Sequence, residues 1–184
     1  QYVPFSQNPL RHVGDLLAAI QSHQEHLDAT TDHPLAGAER IDVGSVHGGD
    51  YFNRTPTRCT LMGTRRWCPG RNAQQVLEEI EALAKPFALA GNLHLTVEME
   101  HEREPFETPR EDAAVCAVSH AHEMVTGDQA DLVGLRIVGD ANLYVHGCSV
   151  PTFYYGPSNE TAHADTEWVD IKRLHDAAAV YALT

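Results

Sequence analysis

Three residues have types and settings that could do chemistry. His163 lies in Thr161-Ala162-His163-Ala164-Asp165-Thr166-Glu167, with carboxylates two and four positions after the imidazole. A neutral imidazole is a common metal ligand, so this segment could give a divalent ion one attachment point. One His does not make a zinc site, which takes three or four protein ligands. Arg66 shares a strand face with Thr60, Met62 and Thr64, while Cys59, Leu61 and Trp67 occupy the other. An Arg on a polar strand face can grip a carboxylate through two parallel hydrogen bonds, or it can be a solvated charge. Asn53 follows Gly48-Gly49 in a turn, where an Asn caps the backbone or touches a ligand. Gly48-Gly49 is not a phosphate loop, because no Lys-Ser/Thr follows it.

The remaining chemistry-bearing residues form no site by spacing. His120 and His122 are two apart on a predicted helix and point to different sides. His23 and His26 share a helical face but have no third ligand near them in sequence. Both pairs read as surface histidines. The cysteines at 59, 68, 116 and 148 fit no zinc or CxxC spacing and are expected to be reduced packing residues in a cytoplasmic protein. Cys148-Ser149 lacks a nucleophile-elbow pattern.

The elements that must position these residues can be read from periodicity. Asn8-Pro9 opens a helix to about Asp28, with Leu10, Val13, Leu17, Ile20 and Leu27 on one face. Strands are predicted over Arg40–His47 and Arg58–Trp67, with the second stopped by Pro69-Gly70. A second helix carries Val76, Leu77, Ile80, Leu83 and Ala84 inward, and Pro86 is expected to end or kink it. Leu93–His101 alternates cleanly and predicts a third strand. The order helix, strand, strand, helix, strand is a ferredoxin-like βαββαβ unit without its first strand. Either the sheet has three strands here, or the missing strand lies upstream of Gln1, in a chain that does not begin with Met.

Residues 98–112 are charge-dense and read as a linker. Thr108-Pro109-Arg110-Glu111 forms a capping-box pattern before a helix of Ala114, Ala117, Val118, Ala121 and Met124. Leu132–Val138 and Val150–Tyr155 predict short apolar strands, with a short helix or turn over Ala141–His146 between them. Asp170 caps a last helix. This half reads as part of an α/β layer, with too few strands to close a domain. His163 would then sit beyond the carboxyl end of a strand, where open α/β sheets bind ligands.

Composition narrows the partners. Against 26 Asp+Glu stand 13 Lys+Arg, a formal charge of -13, and no basic cluster exceeds two residues. Nucleic acid and anionic membrane surfaces are therefore not expected partners. No apolar run approaches the roughly 20 residues of a membrane span. At 42% hydrophobic residues the chain is too apolar for disorder, and 184 residues allow one large domain or two small ones.

These residues resemble the M20 metallopeptidases, which include carboxypeptidase G, acetylornithine deacetylase and succinyl-diaminopimelate desuccinylase. The resemblance rests on Val46-His47-Gly48-Gly49-Asp50-Tyr51-Phe52-Asn53-Arg54-Thr55-Pro56, Thr60-Leu61-Met62-Gly63-Thr64-Arg65-Arg66 and Pro69-Gly70. It continues in Gly156-Pro157 and in Ala162-His163-Ala164-Asp165-Thr166-Glu167-Trp168-Val169-Asp170, and Gln7-Asn8-Pro9-Leu10 resembles the start of the family's first lid helix. It covers essentially the whole chain, in order.

The resemblance implies an α/β fold with an α+β lid. Residues 1–105 would be a ferredoxin-like lid and dimerisation domain lacking its first strand. Residues 106–184 would be the C-terminal part of a zinc-peptidase-like catalytic domain. It implies metal-assisted hydrolysis of an amide bond in a peptide or N-acyl amino acid, with two zinc ions sharing a water and a Glu as base. Arg66 would hold the substrate carboxylate, Asn53 would sit near the substrate, and His163 would be the one metal ligand in this chain. The family's His-x-Asp, bridging Asp, Glu-Glu pair and further metal carboxylate have no counterpart here, so the chain alone is expected to be inactive. A homodimer through the lid is also implied. Val138-Gly139-Asp140-Ala141-Asn142 resembles a family Gly-Gly-Thr-Asp-Ala segment but lacks its hydroxyl residue. The competing readings are an association module whose incomplete sheet invites pairing, and a degenerate non-catalytic relative.

Overall fold

The computed structural model describes residues 4–158, 160–162 and 164–184. The chain divides into two compact units, residues 1–105 with 134–136, and residues 106–133 with 137–184.

In the first unit, helix α1 (Pro9–Thr30) starts where sequence chemistry dictates. Asn8 accepts a hydrogen bond from the Leu10 amide at 3.0 Å, and Pro9 occupies the first turn. Leu27 is buried, with Val13, Leu17 and Ile20 half-buried along the same stripe. His12 is also buried, and its Nε2 lies 2.8 Å from the Ser6 carbonyl. Helix α2 (Ala73–Gly91) opens with a reciprocal capping box between Asn72 and Gln75 and packs on α1. The two helices come close at Gly91, where a Cβ would stand 2.7 Å from His12 Nε2. Pro86 does not end α2, which continues to Gly91 and closes on Asn92 at φ 50°. Packing of Val76 and Ala84 holds the helix through the missing Pro86 donor.

Strands β1 (Arg40–Gly48) and β2 (Cys59–Arg66) form an antiparallel hairpin running from the Arg40–Arg66 pair to the Gly48–Cys59 pair. Gly44 is the extra residue of a bulge between Val43 and Ser45. Opposite it, a Cβ at Gly63 would lie 2.1 Å from the Asp42 carbonyl oxygen, so only glycine fits. The side-chain amide of Gln24 accepts from the Ile41 amide (2.7 Å) and donates to the Glu39 carbonyl (3.2 Å), fastening the start of β1 to α1.

The second unit contains α3 (Ala113–Thr126), α4 (Ala141–Cys148) and α5 (Ile171–Leu183). Helices α3 and α5 pack together, and the buried apolar side chains among the described residues of this unit are small: Val115, Ala121, Ala141, Ala177 and Val180. Tyr155 joins both helices, through its hydroxyl 2.8 Å from His122 Nδ1 and its carbonyl accepting from the Tyr181 hydroxyl at 2.5 Å. Asp170 caps α5 by accepting from the Arg173 amide at 3.0 Å. The cap of α3 is not Thr108 but Asp112, which accepts from Ala114 at 2.9 Å. The Thr108 hydroxyl is spent on the Thr152 carbonyl instead, and residues 109–112 make a turn before the helix.

The sheet of the described residues has two strands, a mixed α/β arrangement smaller than the expected lid. Leu93–His101, Leu132–Val138 and Val150–Tyr155 are not paired strands. Alternation survives in part without a ladder: Val97 and Met99 are half-buried, while His94, Thr96, Glu98 and Glu100 are exposed. Alternation says which side chains are covered; a strand also needs a partner backbone. The cysteines are free, but Cys116 and Cys148 are exposed and do not pack as expected, whereas Cys59 and Cys68 are partly covered. No helix among the described residues is long and apolar enough to cross a membrane.

Candidate functional site

Arg65 and Arg66 alternate across β2, and the alternation decides their surroundings. Arg65 points to the covered face, with its side chain 6% exposed. A buried guanidinium requires carboxylate partners, and two are present. Its Nη2 lies 2.5 Å from Glu39 Oε2, and its Nε lies 2.9 Å from Glu79 Oε1. Arg71 bridges the same carboxylates, at 3.0 Å from Glu39 and 2.5 Å from Glu79. His23 on α1 adds a contact of 2.8 Å to Glu79, and the Cys68 amide donates to Glu39 at 3.3 Å. Burial alone would raise the pKa of Glu79. Hydrogen bonds from Arg65, His23 and Arg71 overcome it and hold the carboxyl at about 2.

This cluster ties α1, the start of β1, the end of β2 and α2 together, and it escaped the sequence reading. One signal was present: Arg65 shares a strand face with Leu61 and Trp67, where an unpaired charge is costly.

Arg66 lies on the open face and is exposed. Its Nη1 donates to the Arg136 carbonyl, while the Arg136 guanidinium donates to the Ala36 carbonyl at 3.1 and 3.2 Å. The Arg66 backbone is held as well, since Arg65 Nη1 donates to the Arg66 carbonyl at 2.6 Å.

Asn53 lies in the β1–β2 connection, at the other end of the hairpin. Here the chain folds around an open cleft of about 720 Å³, whose lining includes Asn8, Leu10, Tyr51, Phe52 and Asn53. The volume is that of a small-molecule site. Asp50 and Arg54 at its edge pair at 2.6 Å. The rings of Tyr51 and Phe52 lie 4.6 Å apart and are 58% and 88% exposed. The eight residues of β2 put about 23 Å between Cys59 and Arg66. The structure therefore does not bring Asn53 and Arg66 together.

His163 lies outside the described residues. Thr161, Ala162, Glu167 and Trp168 line a second cleft, of about 320 Å³. Among the described residues no group of three or more His, Cys, Asp or Glu side chains converges as metal ligands. They do not by themselves fit a metal centre. His120 and His122 join no such group, and the rings of His23 and His26 lie tilted at 31° with centroids 6.2 Å apart.

Comparison with known proteins now bears on these residues. The model of peptidase family M20/M25/M40 matches residues 10–184. An acetylornithine deacetylase of Edwardsiella ictaluri is 29% identical over 169 residues, covering 91% of this chain and 41% of that protein. A succinyl-diaminopimelate desuccinylase of Nitrosospira multiformis is 26% identical over 143 residues, covering 77% and 36%. The crystal structure of an M20 family metallo-carboxypeptidase from Sulfolobus solfataricus superimposes with a TM-score of 0.59 at 14% identity, covering 98% of this chain and 44% of that one. The chain thus spans about two-fifths of the length of the curated relatives. Because the family match runs through both units, from within α1 to the last residue, the chain belongs to peptidase family M20/M25/M40.

Proposed function

We propose that these 184 residues are the C-terminal portion of a metal-dependent hydrolase that cleaves an amide bond in a peptide or N-acyl amino acid. Residues 1–105 are its lid and dimerisation domain, ferredoxin-like in plan, and residues 106–184 close its catalytic domain. The observation that carries the reading is the family match over residues 10–184, with the Asn53, Arg66 and His163 motifs in order. His163 supplies one ligand to a divalent ion, with zinc as the proposed metal. The remaining ligands come from polypeptide outside this chain, so the chain alone has no turnover. When bound, the metal would activate water and polarise the scissile carbonyl. Arg66 holds the substrate carboxylate and Asn53 orients the amide. With about 23 Å of strand between them, the two do not serve one amino-acid-sized substrate within one copy. A homodimer, in which one copy supplies Arg66 and its partner Asn53, satisfies both assignments. The four free cysteines suit a reducing compartment, and a cytoplasmic location is part of the proposal.

The test is hydrolysis of N-acyl amino acids by the whole natural polypeptide with zinc. His163→Ala should abolish turnover, and Arg66→Ala should raise KM for carboxylate substrates. Unchanged activity in His163→Ala overturns its role, and zinc-dependent turnover by the 184 residues alone overturns the division of ligands.

A second reading, an association module without catalysis, is favoured by one observation. Neither outer edge of the β1–β2 hairpin is paired among the described residues. Self-association with no activity in the whole polypeptide would select it; a monomer at high concentration in sedimentation would remove it.

A further inference from the structure

Arg66 is held at both of its ends. Its peptide carbonyl accepts a hydrogen bond from Arg65 Nη1 at 2.6 Å. Its side-chain Nη1 donates to the carbonyl of Arg136, 70 positions further along. That carbonyl belongs to residues 134–136, which are part of the first unit and lie as a strap against the turn at Leu35 and Ala36. The Gly134 amide donates to the Leu35 carbonyl at 3.2 Å, and the Arg136 guanidinium donates twice to the Ala36 carbonyl. Only a residue without Cβ lets the strap come this close. A Cβ at Gly134 would stand 2.7 Å from the Ala36 amide nitrogen and from the Leu35 carbonyl carbon. The strap therefore has a fixed place, and the carbonyl that Arg66 grips is fixed with it. Nε and Nη2 of Arg66 have no partner among the described residues. These two groups form one edge of the guanidinium fork, and that edge fits a carboxylate through two parallel hydrogen bonds. A free arginine must be ordered as it binds, at a cost in affinity, whereas one already held need not be.

We propose that Gly134 and Arg136 are positioning residues for substrate recognition: through the Arg136 carbonyl they set the Nε–Nη2 edge of Arg66 for the substrate carboxylate before it arrives. The inference rests on the hydrolase reading for the carboxylate ligand, and it adds the residues that give Arg66 its aim. Gly134 carries no charge and touches no ligand. It acts through the strap, and the strap acts through Arg66.

The test is a titration of the 184-residue chain with N-acetylglycine, followed through the amide and Nε–H resonances of Arg66. N-Acetylglycinamide, which lacks the carboxylate, is the control probe and should leave them in place. Gly134→Ala should weaken N-acetylglycine about three- to tenfold, the cost of ordering one long side chain. Because this variant alters no charge, the factor should be the same at low and at high salt, where a through-space charge effect would be screened away. Arg136→Ala is the second variant and should weaken the probe as well, by a factor that also persists in high salt. Arg136 is exposed, so this variant should fold, and unchanged amide shifts in α1 and α2 would verify it for both. In the whole natural polypeptide with zinc, Gly134→Ala should raise KM by the same factor and leave kcat within about twofold, whereas lost folding would lower kcat at unchanged KM. No shift of Arg66 with N-acetylglycine, equal shifts from both probes, or Gly134→Ala and Arg136→Ala variants that bind like the original each overturn the proposal. The titration reads no hydrolysis, so a whole polypeptide without turnover overturns the hydrolase reading, while loss of binding in Gly134→Ala still supports this inference.

Discussion

Arg65 donates a hydrogen bond to the backbone carbonyl of Arg66 over 2.6 Å. The buried guanidinium thus holds the peptide of its exposed neighbour, while Glu39 and Glu79 hold the guanidinium. The end of β2 is fixed from inside the unit.

Removing that support should be costly. Arg65→Ala leaves Glu39, 4% exposed, with Arg71 as its remaining ion-pair partner. Loss of one member of a buried ion pair costs about 3–5 kcal/mol. Urea unfolding measures it, and a loss below about 1 kcal/mol would mean the cluster is solvated in solution.

Acid should loosen the same cluster in a defined window. Glu79 has an ordinary pKa of 4.5 and a folded value of about 2. A depressed folded pKa contributes stability above the unfolded value, and that contribution is lost as pH falls through the folded one. The melting temperature should fall between pH 4.5 and 2, and Glu79→Gln should flatten the decline. Parallel curves for the two proteins would contradict it.

The bulge sets a steric requirement. Gly63→Ala puts a methyl group 2.1 Å from the Asp42 carbonyl oxygen, a backbone atom that can move only with its strand. Destabilisation of about 1–3 kcal/mol is expected, with weaker amide protection along β1. Unchanged exchange rates would show that the hairpin yields without strain.

Helix α3 offers a test of which residue caps it. Asp112→Ala should cost about 1 kcal/mol, the usual loss of an N-cap acceptor, while Glu111→Ala should cost little. The reverse order would restore the Thr108–Glu111 capping box.

Features governed by neighbours in sequence were legible. Asn8-Pro9 and Asp170 mark helix starts through their own side chains, and alternation placed β1 and β2 to within about one residue at their shared ends. Features settled at a distance were not. The partners of Arg65 lie 26 and 14 positions away, at Glu39 and Glu79. Thr108 fits a local cap pattern, yet its hydroxyl goes to Thr152, 44 positions away. Leu93–His101 has a strand's pattern without a paired backbone. Of the site, residue types could be read but separation could not. The distance between Asn53 and Arg66 depends on the straight run of β2, which no motif records.

The unequal cover of the four cysteines has a practical consequence. Cys116 and Cys148 are exposed and both belong to the second unit, while burial raises the thiol pKa of Cys59 and Cys68 in the first. A maleimide dye at neutral pH would therefore settle on helices α3 and α4 and leave the hairpin dark. Fluorescence from such a label would report on the second unit alone, without any substitution in the sequence.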